Sequence, residues 1–527
     1  MFYFSLSRVS LVRTPGSLLV RCQQQFKRKF AMQSLNLKPE FKDESLLRKG
    51  SYVNGKWITE GEDYFEVTDP ANGALISKLP NHDVGVVQEA IKAANSTFKT
   101  YKNMPPKDRA QCLRRMYSLM MENIDDLSAL ITWENGKPLN DAINEVRYAA
   151  SFFDWFADEA LRMYGTTIQP ANPTSRAFTI RQPVGVCGIV CPWNFPAAMI
   201  SRKASAALAA GCTVVLKPDP QTPLSALALA HLIEKAGFPA GAFNIVVTQK
   251  HTAEVGLALC ESPLVKKISF TGSTAVGKIL MKQSASTMKK LSFELGGNAP
   301  LIVFDDADVD YAIEQVIACK FISLGQTCVC ANRLYVQRAV VEEFSEKLAK
   351  RVRGFKIGHG LHKDTTHTCL INTNAVAKVE RHAQDAISKG AEIVVAGGRL
   401  PEIGENFYAP TILKNVRPDS QVAHEETFGP LCAIIPFDTM EEVVGYANDT
   451  PFGLAAYVFS NNINTLYTAM ESLDAGMISC NTGIFRDAAV PFGGVKESGF
   501  GREGSLHGID DYTVLKTVIL GGLPERL

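Results

Sequence analysis

The sequence lacks the long apolar run, the charge excess and the cysteine pattern that would assign it to several protein classes. Its longest apolar stretch, residues 204–216, is too short to span a bilayer and contains Gly211. Lysine and arginine number 55 against 54 aspartates and glutamates, so neither nucleic acid nor an anionic membrane surface is indicated as a partner. The 12 cysteines have no regular spacing, which favours reduced, mostly buried thiols over a disulfide framework. These absences favour a globular protein that acts on a small molecule.

Acidic residues are missing from the N-terminal segment. No aspartate or glutamate occurs between Met1 and Pro39, whereas lysine and arginine recur there among Ser, Leu, Val and Phe. This composition is typical of a mitochondrial transit peptide, which we place at residues 1–35, and a basic disordered tail is the alternative. We expect location in the mitochondrial matrix, and also in the cytoplasm if translation starts at Met32.

The body of the chain alternates between helical and strand patterns. A length of 527 residues exceeds the size at which one hydrophobic core keeps growing, so two or three domains are expected. Helical periodicity dominates residues 80–160, with one long apolar-periodic stretch at residues 107–133. From residue 177 onward buried strands alternate with helices, and the alternation restarts with a strand at residues 299–303. This pattern predicts two α/β domains with parallel sheets, divided near Gly296 and Gly297.

Two cysteines stand close together, Cys328 and Cys330, in the sequence Gly-Gln-Thr-Cys-Val-Cys that begins at Gly325. They are compatible with a metal-site fragment, a redox pair, a nucleophile with a neighbouring thiol, or inert buried cysteines. Zinc is the least favoured, because it normally takes four ligands and no matching cysteine or histidine pair lies nearby. The histidine-rich residues 359–369 lack helical spacing and are predicted to form a solvated loop. No metal site is therefore predicted.

Two polar residues, Glu294 and Asn194, lie in apolar stretches of the sequence, and a catalytic role is one interpretation of each. Glu294 follows Ser292 and Phe293 in an apolar stretch, and a buried carboxylate has a raised pKa that suits a general base. Capping a helix or pairing with a lysine is an equal alternative for this glutamate. Asn194 lies between aromatic residues in a proline-bounded turn, so its amide suits an oxyanion donor or simply a turn.

A phosphate-binding pattern is present but incomplete. Gly272 and Ser273 follow a strand and precede a helix, where exposed backbone N–H groups and the helix dipole favour a phosphate. The spacing is not GxGxxG, so on its own it indicates a dinucleotide only weakly.

Six segments, taken together and in order, resemble the successive signatures of the aldehyde dehydrogenase superfamily. They span nearly all of the chain after residue 50. The segments are Pro192-Trp193-Asn194-Phe195-Pro196, Phe270-Thr271-Gly272-Ser273, Glu294-Leu295-Gly296-Gly297-Asn298, Gly325-Gln326-Thr327-Cys328, Glu425-Glu426-Thr427-Phe428-Gly429-Pro430 and Pro491-Phe492-Gly493-Gly494.

The resemblance implies a fold with three parts. A doubly wound cofactor domain is expected at residues 36–160 and 184–296, and a second α/β domain, the catalytic one, at residues 297–495. A small oligomerisation flap is expected at residues 161–183 and 496–527. The chain is accordingly expected to form a homo-oligomer, either a dimer or a tetramer.

The resemblance also implies the catalytic residues. Cys328 is expected to attack an aldehyde, while the Asn194 amide and the Cys328 backbone N–H stabilise the resulting oxyanion. Glu294 is expected to activate the water that hydrolyses the thioester, so that the product is a free acid. The cofactor is expected to be NADP or NAD, bound through Lys217 and Glu426 at the riboses, Gly272 and Ser273 at the pyrophosphate, and Trp193 and Phe428 beside the nicotinamide.

Within the superfamily, residues 325–333 and 493–504 are most similar to succinate-semialdehyde dehydrogenases. This similarity implies oxidation of succinic semialdehyde to succinate, a step of 4-aminobutyrate degradation. In some members the second thiol, here Cys330, forms a reversible disulfide with the nucleophile. A medium-chain or aromatic aldehyde as substrate, or a catalytically silent protein with the same fold, are the alternatives.

The sequence departs from the semialdehyde enzymes at the expected carboxylate-binding position. Ile322 stands six residues before the nucleophile, where those enzymes usually have an arginine. Arg162 matches a second carboxylate-binding arginine of the family, with a surface ion pair as its alternative. Arg486 stands where a small polar residue is common at the substrate entrance, and exposure to solvent is its alternative. We hypothesise that Arg162 and Arg486 form a relocated clamp for the distal carboxylate.

A second departure concerns the choice of cofactor. Many relatives that prefer NAD carry a glutamate two residues after the position of Pro218, and this chain has Pro220 there. Proline cannot accept a hydrogen bond from the adenine ribose, and loss of the carboxylate removes repulsion against a 2′-phosphate. The neighbouring Asp219 is a carboxylate that could still repel the 2′-phosphate. Use of both cofactors is therefore predicted, with NADP at least equal to NAD.

Overall fold

The computed structural model describes residues 35–525. The predicted transit peptide, apart from Leu35, and the alternative start at Met32 lie outside the described residues. Strands are numbered β1–β24 and helices α1–α14 in chain order. Within residues 35–525 no helix is both long enough and apolar enough to cross a membrane.

The first large sheet has eight strands in the order β2-β1-β9-β8-β7-β10-β11-β23. The five strands from β9 to β11 in this order are parallel, and the remaining three pair antiparallel at the two edges. The chain runs from β7 outward to β9 and then returns to β10, so the strand order reverses between β7 and β10. In doubly wound sheets ligands bind at such a reversal, outside the carboxyl ends of the strands. The strands are β1 Ser51–Val53, β2 Lys56–Ile58, β7 Val186–Val190, β8 Thr213–Lys217, β9 Phe243–Ile245, β10 Val265–Thr271, β11 Lys290–Glu294 and β23 Gly499–Phe500.

The second large sheet has seven strands in the order β14-β17-β18-β13-β12-β20-β21. All neighbours are parallel except β14, which pairs antiparallel with β17 at one edge. The predicted α/β class and the restart of the pattern at residue 299 are therefore confirmed. The strands are β12 Ala299–Val303, β13 Ala331–Gln337, β14 Glu392–Val395, β17 Thr411–Lys414, β18 Leu431–Phe437, β20 Ala455–Phe459 and β21 Met477–Cys480.

A three-stranded antiparallel sheet, in the order β24-β6-β5, stands apart from the two large ones. It joins β5 Thr167–Ile168 and β6 Arg176–Pro183 to the C-terminal strand β24 Thr513–Leu520. The ladder between β6 and β24 runs without a break from the pair Pro183–Thr513 to the pair Arg176–Leu520. Shorter two-stranded ladders are β3 Tyr64–Thr68 with β4 Leu75–Pro80, β15 Gly398–Arg399 with β16 Tyr408–Ala409, and β19 Phe452–Gly453 with β22 Val495–Lys496.

Helices cover the faces of the two large sheets. Residues 107–133, which carry one periodic apolar pattern, form two helices, because the backbone leaves the helical conformation at Asn123. The helices are α1 Val84–Tyr101, α2 Pro106–Glu122, α3 Ile124–Asn135, α4 Leu139–Glu159, α5 Ala198–Ala210, α6 Pro223–Lys235, α7 Thr252–Glu261, α8 Thr274–Ser284, α9 Val309–Lys320, α10 Val341–Val352, α11 Thr373–Ser388, α12 Gln421–His424, α13 Met440–Asn448 and α14 Ile463–Ser472.

The prediction of a solvated loop at residues 359–369 is wrong. The His359 ring is buried and lies 2.9 Å from a carboxylate oxygen of Asp69. His367 is buried and stacks on the Phe355 ring, with 3.6 Å between ring centres. Burial also lowers the pKa of His367 to about 3. Histidine counts as polar in a sequence pattern, but its ring also packs against aromatic side chains and pairs with carboxylates in the interior. No cluster of metal-binding side chains occurs among residues 35–525.

Helix α5 ends at Gly211, which adopts a left-handed conformation with φ of 91°. We expect Gly211→Ala to lower the free energy of unfolding by about 1 kcal/mol, because an L side chain is strained there. An added methyl group would meet its nearest atoms at 3.6 Å, so the cost is one of backbone conformation alone. Thermal denaturation should show a lower Tm. Gly445→Ala is the matched control, since this helical glycine faces open space, and an equal effect of both changes would contradict the prediction.

Candidate active site

Cys328 lies at the centre of the residues that the sequence singles out. It occupies the loop between α9 and β13, and its Sγ is 3.2 Å from Glu294 Oε1. Glu294 is the last residue of β11 and is 2% exposed. The hydroxyl of Thr271, which pairs with Glu294 across the sheet, donates to Glu294 Oε2 at 3.2 Å. The thiol in the loop before β13 of the second large sheet thus meets a carboxylate of the first large sheet.

Asn194 reaches the same place from strand β7. It is buried in the turn that follows this strand, and its Nδ2 donates to the backbone oxygen of Gln326 at 3.1 Å. Gln326 is two residues before Cys328, so the amide lies beside the loop that carries the thiol. The side-chain amide retains a second hydrogen for another acceptor.

Sequence reasoning missed Arg202, the principal cation of this site. Arg202 belongs to α5 and is 1% exposed, and its guanidinium contacts the carboxylates of Glu294 and Glu503. The next residue, Lys203, also contacts Glu503. The guanidinium carbon lies 4.1 Å from the centre of the Phe492 ring. The one available signal was the pair of adjacent cations in an alanine-rich stretch, which does not by itself distinguish a buried arginine from an exposed one.

Burial of the nucleophile governs its protonation. It raises the pKa of the Cys328 thiol to about 12, while the Arg202 guanidinium acts in the opposite direction and the Glu426 carboxylate adds to the rise. A thiol with such a pKa is neutral at physiological pH, so it needs a proton acceptor in order to attack a carbonyl carbon. The Glu294 carboxylate is close enough to serve as one.

The cavity that holds Cys328 is apolar apart from two arginines. Aromatic and aliphatic side chains line it, among them Ile322, and its cations are Arg202 and Arg486. Arg486 is exposed and also lines the neighbouring surface cleft, so it lies at the mouth of the cavity. Ile322 therefore lies in the wall of the cavity, and Arg486 lies at its entrance, as the sequence comparison predicts.

Arg162 lies outside the cavity, whereas Cys330 is a buried thiol close to the nucleophile in sequence. Arg162 is not among the cavity residues; it lies in a short 3-10 helix with its side chain 53% exposed and pairs with Glu159 at 2.7 Å. In this chain it therefore cannot share a clamp with Arg486. Cys330 is a free thiol, as is Cys328, and its Sγ lies 3.4 Å from the buried Lys320 ammonium. Burial raises the pKa of the Cys330 thiol, and Lys320 opposes that rise.

The residues expected to hold a cofactor lie at the carboxyl ends of the strands of the first sheet and in the loop before β18. The rings of Trp193 and Phe428 meet edge to face, with 5.6 Å between their centres. Ser273 caps α8 by accepting from the backbone N–H of Val276. At Gly272 a Cβ atom would lie 2.3 Å from the Phe270 ring, so the backbone has room there only without a side chain.

Two charged groups complete this side of the site. Lys217, the last residue of β8, is 4% exposed, and burial lowers the pKa of its ammonium. Glu426 accepts from the backbone N–H of Gly297 at 3.0 Å, and burial raises its pKa to about 7. A buried ammonium, a carboxylate and an exposed helix N-terminus match the hydroxyls and the phosphates of a dinucleotide. These residues therefore fit the expected cofactor.

Comparisons with known proteins agree on one family. The model of the aldehyde dehydrogenase family matches residues 57–518. The succinate-semialdehyde dehydrogenase (NADP+) of Saccharomyces cerevisiae is 65% identical over 490 residues, which cover 93% of this chain and 99% of the yeast protein. The 3-sulfolactaldehyde dehydrogenase of Pseudomonas putida is 48% identical and covers 92% of this chain and 99% of its own length. The crystal structure of succinate-semialdehyde dehydrogenase from Burkholderia pseudomallei aligns with a TM-score of 0.90 at 47% identity, covering 92% of this chain and 100% of that one.

The raised pKa of Cys328 predicts how the ligand-free protein reacts with iodoacetamide. Only the thiolate is alkylated, so the rate constant should rise about tenfold per pH unit between pH 7 and 10. Labelling of Cys328, followed by mass spectrometry of its peptide, measures this rate. The Cys328→Ser variant reports the background from other thiols, such as the half-buried Cys480. A rate that levels off below pH 9 would contradict the prediction.

Proposed function

This chain belongs to the aldehyde dehydrogenase family, and we propose that it oxidises succinic semialdehyde to succinate with NADP+ or NAD+. The observation that carries the proposal is the contact of Cys328 Sγ with Glu294 in a cavity whose cations are Arg202 and Arg486. The thiol and the carboxylate suit thioester chemistry. The cations suit an aldehyde with a distal carboxylate.

The first half of the reaction uses Cys328 and Asn194. The Cys328 sulfur bonds to the aldehyde carbon, and its proton passes to Glu294, 3.2 Å away. The carbonyl oxygen becomes an oxyanion, which accepts hydrogen bonds from the Asn194 amide and from the Cys328 backbone N–H. A bound NADP+ or NAD+ supplies the hydride acceptor that oxidises this carbon to a thioester. The rings of Trp193 and Phe428, which meet edge to face, would hold the nicotinamide at the site.

The second half of the reaction uses Glu294 as a general base. Glu294 first releases the proton of the thiol to solvent, and its carboxylate then takes a proton from a water molecule, whose oxygen bonds to the thioester carbon. The carbon–sulfur bond breaks as this proton passes from Glu294 to the sulfur, so the product leaves as a free acid and the thiol of Cys328 is restored. Thr271 and Arg202 keep the carboxylate in place at its other oxygen.

Two arginines support a substrate that carries a negative charge. The yeast and Pseudomonas putida relatives are named for aldehydes with an anionic group, a carboxylate in one and a sulfonate in the other. In this chain Ile322 removes one cation from the cavity wall, while Arg486 adds one at the mouth. Arg486, together with the buried charge of Arg202, holds the distal carboxylate. This pair replaces the clamp of Arg162 and Arg486.

NADP+ is accepted at least as well as NAD+. Pro220 offers no acceptor for the ribose hydroxyls, and the neighbouring Asp219 is turned to its own loop, where it accepts from the Gln221 backbone N–H at 2.9 Å. Burial also raises the pKa of Asp219, which weakens its repulsion of a 2′-phosphate. The relative from Saccharomyces cerevisiae is named for NADP+.

The chain assembles into a homo-oligomer through its three-stranded sheet and works in the mitochondrial matrix. Strands β5, β6 and β24 expose apolar side chains, which is unusual for a surface that stays in water. The basic, acid-free N-terminal segment supports import into mitochondria. The exposed apolar residues of this sheet are Ile168, Ile180, Val514, Leu515, Ile519 and Leu520.

The function is tested by measuring NADPH formation with three aldehydes. We expect kcat/KM for succinic semialdehyde to exceed that for hexanal by about two orders of magnitude, because a charge-assisted bidentate contact is worth a few kcal/mol. Glutaric semialdehyde measures the tolerance for one extra methylene. Cys328→Ser is the control, and it should bind NADP+ and fold normally while losing all turnover. A preference for hexanal would contradict the substrate, and turnover by Cys328→Ser would contradict the mechanism.

The role of Arg486 is tested separately with Arg486→Ala. Because the arginine acts on the carboxylate alone, kcat/KM should fall by about two orders of magnitude for succinic semialdehyde and stay unchanged for butanal. Arg162→Ala is the matched control, since this arginine pairs with Glu159 outside the cavity. Parallel small losses on both aldehydes would show that Arg486 does not contact the carboxylate.

A further inference from the structure

The end of α3, the start of α4 and the loop between them contain buried polar side chains that the proposed mechanism does not use. They belong to residues 134–145, and several of them reach the two loops that carry Asn194 and Cys328. Lys137 and Glu145 are the most notable, with side chains 1% and 0% exposed and 2.6 Å between Lys137 Nζ and Glu145 Oε2. Replacing such a buried pair with apolar residues often costs no stability. Stability alone therefore does not explain the pair, and the contacts that it makes with the turn carrying Asn194 point to another role.

The first side of this segment holds the backbone of the turn after β7. Asn135 Nδ2 donates to the backbone oxygen of Trp193 at 2.9 Å. Lys137 Nζ donates to the backbone oxygen of Asn194 at 2.6 Å and lies 3.9 Å from the centre of the Phe195 ring. Two successive carbonyl groups and one ring of the turn are thus fixed by buried donors.

Glu145 holds the other end of the same turn. Its Oε1 accepts from the backbone N–H groups of Ala197 and Ala198, at 2.9 and 3.3 Å. These groups open helix α5, where a carboxylate also interacts favourably with the helix dipole. The turn that carries Asn194 is therefore held at both ends by a single ion pair, through Lys137 at its carbonyls and Glu145 at its exit.

The same segment reaches the loop that leads to the nucleophile. Asp141 Oδ2 accepts from the backbone N–H of Ser323 at 3.0 Å. Ser323 and Leu324 have φ of 45° and 55°, a left-handed conformation that costs about 1 kcal/mol or more for a non-glycine residue and needs external support. Residues 137–145 thus contact both loops that must lie in register for the reaction.

We propose that Lys137 and Glu145 are positioning residues that set the place of the Asn194 amide relative to Cys328. The role rests on the proposed function, because it concerns the oxyanion of that reaction. Hydrogen bonds to an oxyanion lose most of their effect when the donor moves by about 1 Å, so a displaced turn lowers the rate of the chemical step. The contacts expected for the riboses and phosphates of the cofactor, at Lys217, Ser273 and Glu426, lie on other segments and stay in place.

The test is a double-mutant cycle on kcat. The variant Lys137→Met/Glu145→Gln removes the ion pair without leaving a buried charge unpaired. We expect kcat for succinic semialdehyde, or for whichever aldehyde the wild type turns over best, to fall about tenfold or more. KM for NADP+ should stay unchanged. The same two changes in an Asn194→Ala background should leave kcat where Asn194→Ala alone puts it, because the amide they position is gone.

Two outcomes of the cycle would overturn the proposal. An equal fall of kcat in both backgrounds would assign the ion pair a general structural role, and a change in KM alone would assign it to binding. If the double variant does not fold, Glu145→Gln alone carries the same cycle, because it keeps the size of the side chain and an acceptor for the Ala197 N–H. A smaller fall of kcat that vanishes in the Asn194→Ala background then supports the proposal, and a fall that persists overturns it.

Lys267→Met is the matched control for loss of a buried lysine. Lys267 is fully buried and donates to the Ser292 hydroxyl at 2.6 Å, away from the Asn194 turn. It should lower Tm while kcat stays within about twofold of the wild type. Equal losses of kcat in this control would overturn the positioning role. A wild-type chain that oxidises no aldehyde refutes the proposed function itself, whereas an active wild type whose kcat withstands the Lys137 and Glu145 changes refutes the positioning role alone.

Discussion

The carboxyl ends of neighbouring parallel strands must meet at one edge of a sheet, and the candidate site depends on this constraint. Strands β7, β10 and β11 end side by side, so the residues that follow or terminate them are brought together although they are far apart in sequence. Asn194 follows β7, Ser273 follows β10 and Glu294 ends β11. The second sheet presents two loops against this edge, the loop of Cys328 and the loop before β18 that carries Glu426 and Phe428.

Buried charge is the second determinant of the site. Arg202 and Lys203 enter the interior from one helix and meet Glu294 and Glu503, which lie on two different segments. Moving ions out of water costs free energy unless each is paired, and removing one partner leaves the remaining charges buried and unpaired. The four charged side chains can therefore all be paired in only one arrangement of these segments. It also leaves the Glu294 carboxylate with one oxygen at the thiol and the other at a cation and a hydroxyl.

Periodicity predicted most of the fold, and motifs predicted the centre of the site. Buried strands such as β8 and β12 were recognisable because they are short apolar runs between helices, and Gly211 marked the end of α5. Family resemblance indicates Asn194, Glu294 and Cys328, and the structure brings Cys328 into contact with Glu294 and places Asn194 against the loop that carries the thiol. Arg202 was missed because no local pattern distinguishes a buried arginine from a surface one. Arg162 was assigned to the substrate by resemblance, although a position in a short exposed helix turns its side chain to solvent.

The short strand β23 pairs with β11 at Phe293 and Glu294, and the same C-terminal segment supplies Glu503 to Arg202. A ribosome makes Arg202 about three hundred residues before Glu503, and Glu294 about two hundred residues before β23. During synthesis the first sheet therefore has an open edge beside its catalytic carboxylate, and its arginine lacks one of its two counter-ions. A chain released before residue 503 is left with this defect permanently. Completion of the site thus reports completion of translation, and a prematurely terminated product has no route to an active enzyme.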